Sequence, residues 1–199
     1  MYHPYRLKRA LDIVVVVVLA PLVVLLMLGC AIAIRLDSSG PVAFSQERTG
    51  RNGRRFKMYK FRTMVKNAEE LKATVAHLNI LPAPDFKILD DPRVTRVGRV
   101  LRRTSLDELP QLVNVLRGEM SVVGPRPTSF APGTYQLWHA HRLEIAPGLT
   151  GLWQVTSRNE ASFDERVRLD IFYARHASLL LDLRILVRTV SAVFRGSGA

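Results

Sequence analysis

Five arginines, Arg93, Arg96, Arg99, Arg102 and Arg103, fall within eleven residues that contain no acid, and the adjacent carboxylates Asp107 and Glu108 follow almost at once. Guanidinium groups at that density suit phosphate, because each presents a planar fork of donors to an oxyanion. Hard Mg²⁺ takes carboxylate oxygens together with substrate phosphates. Asp107 and Glu108 are therefore a candidate nucleophile and candidate metal ligands inside an anion site. A plainer assignment competes with this one. Leu109, Leu112, Val113, Leu116 and Met120 recur at helical spacing, so the pair stands at a helix start with Pro110 in the first turn. There Asp107 would serve as the N-cap. Further on, Gly124-Pro125-Arg126-Pro127 holds one arginine between two prolines, which presents Arg126 at little entropic cost. A turn with an incidental arginine is the alternative.

The elements that must carry these residues are legible in outline. Val42 to Arg48 and Arg55 to Met64 read as strands joined at Gly50-Arg51-Asn52-Gly53, where Asn-Gly signals a hairpin. Lys66 to Leu78 reads as an amphipathic helix, with Ala68, Leu71, Val75 and Leu78 on one side. Pro82 to Pro92 is a loop. Pro147 to Gly151 reads as a tight turn, with Leu152-Trp153-Gln154-Val155 as a strand after it. Ser162-Phe-Asp-Glu165 matches a capping box that starts a helix to about His176. From Leu179 to Phe194, apolar Leu183, Leu186, Val187, Val190 and Phe194 oppose Asp182, Arg184, Arg188 and Arg195. That pattern suits either a core helix or one lying among lipid headgroups. The histidines are scattered, and His139-x-His141 lacks a partner at metal spacing.

Composition sets the outer limits. The 199 residues carry 29 Lys and Arg against 17 Asp and Glu, a net charge of +12, which points to phosphate-rich or anionic-lipid partners. With 48% hydrophobic residues the chain is no disordered basic tail. The single Cys30 excludes a disulfide framework and a cysteine zinc site, and it reads as lipid-facing packing. Residues 13–34 hold no charge, long enough to cross about 30 Å of hydrocarbon and longer than the usual signal-peptide core. Two features oppose simple crossing. Pro21 splits the stretch into arms of about 12 and 20 Å, neither of which spans. Both flanks are also basic, with Arg6, Lys8 and Arg9 before and Arg35, Arg48, Arg51 and further basic residues after, so the positive-inside rule draws both ends to the cytoplasm. A helix that dips in, bends at Pro21 and returns meets both constraints, and a kinked spanning helix remains the alternative.

Several stretches together resemble the bacterial sugar transferases, the monotopic phosphoglycosyl transferase family. They are Lys8-Arg9-x-x-Asp12, Gln46-x-Arg48-x-Gly50, Lys60-Phe-Arg62-Thr-Met64, Asp91-Pro92-Arg93-Val-Thr95, Leu101 to Leu112, Met120 to Pro127 and Pro147 to Gly151. The resemblance covers nearly the whole chain in family order. It implies an α+β, membrane-associated fold: a re-entrant helix hairpin broken at Pro21 over residues 1–36, then a cytosolic catalytic domain over 37–199 with a β-hairpin and amphipathic interfacial helices. It implies transfer of a hexose-1-phosphate from a UDP-sugar to undecaprenyl phosphate, with Mg²⁺ and release of UMP, on the cytoplasmic face of the bacterial inner membrane. Asp107 falls at the family's nucleophile and Glu108 at its partner carboxylate. Arg102 and Arg126 match phosphate-holding arginines, and Lys60, Arg62 and Arg158 are further substrate-binding candidates. Membrane lipid is an implied partner, a homodimer is compatible, and nucleic acid is not called for. Larger relatives carry an additional N-terminal membrane region, and the chain resembles the minimal catalytic form.

The stretch from Gly148 through Arg158-Asn159, then Arg166-Val-x-x-Asp170, resembles members that start exopolysaccharide or O-antigen units with galactose-1-phosphate, so galactose is expected ahead of glucose. Ser157 stands where those relatives usually carry glycine. The rival class is a membrane-tethered basic protein that binds nucleic acid or anionic lipid without catalysis. Charge permits it, but it assigns no role to Asp107-Glu108 or to the prolines around Arg126.

Overall fold

The computed structural model describes residues 5, 7–80, 86, 88–130, 133, 136–156 and 162–194. Its first element, α1, spans Lys8–Asp37 as a single helix with Pro21 inside it. The helical backbone continues through Pro21, the expected break point. Proline removes one N–H, and the bonds of the adjoining turns carry the helix past it. Among the described residues this is the one helix long and apolar enough to cross a membrane.

Both ends of α1 are docked. At the start, Arg9 Nη2 donates to Leu116 O at 2.7 Å, and Nη1 donates to Val115 O. Asp12 Oδ1 accepts from Ser121 Oγ and from the Val122 N–H, each at 2.9 Å. Lys8 Nζ reaches Asp182 Oδ2 at 2.6 Å. At the far end, Cys30 and Ile34 pack with Phe61 and Leu101, and Asp37 Oδ2 accepts from the Val97 N–H at 3.1 Å. Between the two docks Val17, Val18, Leu22, Val24, Leu25 and Leu28 are exposed. Cys30 is thus part of a core and not lipid-facing packing, because its side of α1 meets the hairpin and α2.

The hairpin forms as the Asn-Gly signal requires. β1 (Ala43–Thr49) pairs antiparallel with β2 (Arg55–Phe61), Ala43 opposite Phe61 and Thr49 opposite Arg55. Asn52 and Gly53 take the left-handed conformations that the turn demands, with φ of 55° and 76°. Lys66 to Leu78, by contrast, makes only short 3₁₀ turns at Glu70–Lys72 and Ala76–Leu78. Its apolar side is never fully buried, and helices of this length owe their stability to packing.

α2 (Arg96–Thr104) and α3 (Gln111–Arg117) follow, then β3 (Ser121–Val123), β4 (Gly148–Thr150), α4 (Leu152–Thr156), α5 (Phe163–His176) and α6 (Leu179–Phe194). β3 and β4 pair in parallel, so the expected turn at Pro147–Gly151 is largely strand and the expected strand at Leu152 is helix. Close backbone approach decides this. A Cβ on Gly148 would collide with Gly124, and glycine at both positions lets the two strands meet. Ser162 closes the expected capping box with Glu165 at the start of α5. The main core gathers Val16 of α1 with Met58, Val115, Met120, Val122, Val123, Ile145, Tyr173, Ala174 and Ile185.

α6 departs from the core-helix alternative and keeps the outward apolar side of the headgroup one, with Arg184 and Arg188 exposed and Asp182 alone of its polar side turned in. Asp182 is wholly buried beside Ile185, whereas Leu180, Leu183, Val187 and Val190 face outward. The burial of Asp182 has a polar cause: its carboxylate accepts from Tyr5 Oη at 2.8 Å and Tyr173 Oη at 2.6 Å as well as from Lys8.

Candidate active site

The carboxylate pair sits where α2 ends. Ser105 adopts the left-handed conformation, φ 58°, and its N–H closes the last turn of α2 on Arg102 O. The chain then makes one 3₁₀ turn, Leu106–Glu108, and α3 begins only at Gln111. Asp107 therefore caps no helix. Pro110 occupies the N-cap position of α3, with no side-chain cap bond. Both carboxylates are free to face elsewhere.

They face Lys60 and Arg126. Lys60 Nζ, near the end of β2, lies 2.9 Å from Glu108 Oε1 and 3.6 Å from Asp107 Oδ2. Arg126 Nη2 donates to the same Glu108 oxygen at 2.6 Å. Burial alone would raise the Glu108 carboxyl, but Arg126 and Lys60 outweigh it and hold the group well below the usual carboxylate range. Asp107 is 7% exposed, and among the described residues its carboxylate has no hydrogen-bond donor. Its burial, the largest influence, raises its pKa. Lys60 opposes that shift, Glu108 adds to it, and Arg102 and Arg126 pull the other way. The two neighbouring carboxyls are thus shifted in opposite directions, the arrangement that separates chemical roles.

Each flanking group has a positioner. Lys60 is set by Asn114, fully buried on α3, whose Oδ1 accepts from the Tyr59 N–H at 3.1 Å while Nδ2 donates to Lys57 O at 2.8 Å. The amide thereby pairs with the edge of β2 as another strand would. Arg102 Nε donates to Thr63 Oγ1 at 2.9 Å. Gly98 lets α2 approach that segment, since a Cβ there would collide with the Thr63 carbonyl. Arg126 follows β3 directly, in the segment that Gly148 N holds through Pro125 O at 2.8 Å.

The expected arginine cluster disperses. Arg93 is buried against Asp91 at 2.7 Å and Ala68 O at 3.0 Å, and Arg96, Arg99 and Arg103 are exposed. Of the five, Arg102 alone bears on Asp107. Arg62 donates to Ser38 O and Oγ at 2.7 and 3.0 Å, at the end of α1, and not to the carboxylates. Arg158 lies outside the described residues. Asn114 and Arg142 were missed from sequence, since a polar residue inside an apolar helix pattern reads as solvent-facing. Among the described residues no cluster of three acidic, His or Cys side chains stands ready for a metal. Both polar contacts on Glu108 fall on Oε1, so neither cation occupies Oε2. Two carboxylate oxygens fit a Mg²⁺ that takes its remaining ligands from water and substrate phosphates.

The described residues thus join one long apolar helix to a domain that holds a buried acidic pair under basic side chains. The chain belongs to the bacterial sugar transferase family, whose model matches residues 3–196. It is 46% identical over 83% of its length to the galactosyl transferase CpsE of Streptococcus agalactiae, covering 37% of that protein. It is 44% identical over 97% of its length to the undecaprenyl-phosphate galactose phosphotransferase of Salmonella typhimurium, covering 41%. Against the exopolysaccharide production protein ExoY of Sinorhizobium fredii the identity is 40% over 96% of this chain and 87% of that one. The chain spans about two-fifths of the length of the first two relatives.

Proposed function

We propose that this protein moves a hexose-1-phosphate, galactose-1-phosphate first among the candidates, from a UDP-sugar to undecaprenyl phosphate in the opening membrane step of exopolysaccharide or O-antigen assembly. The observation that carries the reading is Asp107: a buried carboxylate with no hydrogen-bond donor among the described residues, next to a Glu108 saturated on one oxygen by Lys60 and Arg126. A carboxylate made more basic by burial, with Lys60, Arg102 and Arg126 opposing that shift, is suited to attack. An Asp107 oxygen bonds to the phosphorus that bears the sugar, the bond from that phosphorus to the UMP oxygen breaks, and UMP leaves with the electron pair. An oxygen of undecaprenyl phosphate then attacks the same phosphorus and returns the Asp107 carboxylate. Lys60, Arg102 and Arg126 neutralise charge on the transferring phosphoryl group throughout. Mg²⁺, where bound by Asp107 and Glu108, supplies further neutralisation of the donor diphosphate. The ionised Glu108 favours a ligand or positioning role over that of a base.

The docking of both ends of α1 on one domain, together with basic residues on both flanks, supports a re-entrant arrangement on the cytoplasmic face. The outward Leu180, Leu183, Val187 and Val190 of α6 support contact with the bilayer surface.

Incubating the protein with Mg²⁺, undecaprenyl phosphate and a panel of UDP-sugars should release UMP and leave a trappable phosphosugar on Asp107. UDP-galactose should exceed UDP-glucose by about tenfold, since the wrong C4 epimer leaves a hydrogen-bonding group unpaired. An adduct on another residue overturns the mechanism, and no UMP from any donor favours a tethered binding protein. Topology has its own check. With Cys30→Ala, cysteines placed at Tyr5 and Ser39 should both resist an impermeant thiol reagent in intact cells, and labelling of one alone restores the spanning helix.

A further inference from the structure

We infer that Arg142 and Asp170 are positioning residues for Arg126 and, through it, for the carboxylate pair. Arg142 stands on the 3₁₀ segment His139–Glu144 and is 4% exposed. Its Nη2 donates to the backbone carbonyl of Arg126 at 2.7 Å and lies 2.5 Å from Asp170 Oδ2. Asp170, on α5, is 1% exposed. From that fixed carbonyl the Arg126 side chain runs the other way, to Glu108 Oε1.

The local chemistry explains why a long-range donor is needed. Pro125 and Pro127 remove two N–H groups from the segment, so it cannot fold back on itself through its own hydrogen bonds. Its carbonyls are satisfied from outside instead, Pro125 O by Gly148 N and Arg126 O by Arg142. Asp170 in turn faces the same Arg142 nitrogen as its ion-pair partner, which draws the guanidinium to that place. A buried ion pair is a poor source of net stability, because desolvation offsets its attraction. Aiming a neighbour is a role that such a pair performs well. The line Asp170–Arg142–Arg126–Glu108–Lys60 thus reaches from α5 to the dyad.

This inference rests on the reaction proposed at Asp107, so one readout is chosen that does not depend on activity. Arg142→Gln combined with Asp170→Asn removes both charges together and leaves neither buried alone. In the full chain the pair of changes should lower kcat with UDP-galactose by about 10- to 100-fold, as a misplacement of about 1 Å does, with a much smaller change in KM. Placed on Arg126→Ala, the same pair should produce no further loss. A full additional loss there, or an unchanged kcat per folded molecule, overturns the inference. A structure of the Arg142→Gln/Asp170→Asn protein should show Arg126 withdrawn from Glu108. Retention of that contact overturns the inference whatever the activity, whereas absence of UMP release by the unmodified protein bears on the proposed reaction alone.

Discussion

Two of the groups of buried carboxylates in this domain are treated in opposite ways. At the root of α1, Asp12 takes a hydroxyl and a backbone N–H, and Asp182 takes two tyrosine hydroxyls and the Lys8 ammonium. Every charge in that group has close donors. At the dyad, Glu108 is equally well served, but Asp107 has one ammonium at 3.6 Å and no hydrogen-bond donor among the described residues. Saturation fixes geometry, and withheld saturation leaves reactivity. The first group fastens α1 to α5 and α6. The second keeps one oxygen available.

Substitution should separate the two most sharply at Asp107. Asp107→Asn keeps the size and removes the attacking charge, so UMP release should fall by about three orders of magnitude or more while the thermal midpoint holds. A large loss of stability there would erase the distinction. Asp182→Asn should do the reverse. It leaves the buried Lys8 ammonium with Asp12 at 4.0 Å, and thermal or denaturant unfolding should register a loss of about 3–5 kcal/mol. A smaller effect belongs to Ser121→Ala, which removes one of the two donors to Asp12 and should cost about 1.5–3 kcal/mol. Were Ser121→Ala to abolish turnover without destabilising the protein, the root of α1 would belong to the chemistry rather than to the frame.

α6 shows why the anchoring group escaped the sequence. Helical periodicity sets Asp182 opposite the leucines, and an acid opposite leucines reads as solvated. Two of its three partners stand 174 and 177 residues away, and with them in place burying the acid becomes the stable choice. The same blindness let Lys66–Leu78 pass as a helix, because the pattern promised a packing face that no other element covers. The arginine run misled in a related way: nearness in sequence suggested one anion site, yet α2 sends Arg96, Arg99 and Arg103 to solvent and Arg93 to Asp91. Lys60 and Arg126 took their place from β2 and from the segment after β3.

What the sequence determined by itself is what depends on neighbours along the chain. The uncharged run fixes a long apolar helix, Asn52-Gly53 a hairpin, Ser162 and Glu165 a cap, and Asp107-Glu108 an acidic pair, since each signal acts within a few residues. The order of motifs also carried the family. Tertiary structure alone decided which charges are matched. A buried carboxylate is made inert or reactive by donors brought from as far as 177 residues away, and the free energy of a buried charge depends on distances in space rather than on its place in the chain.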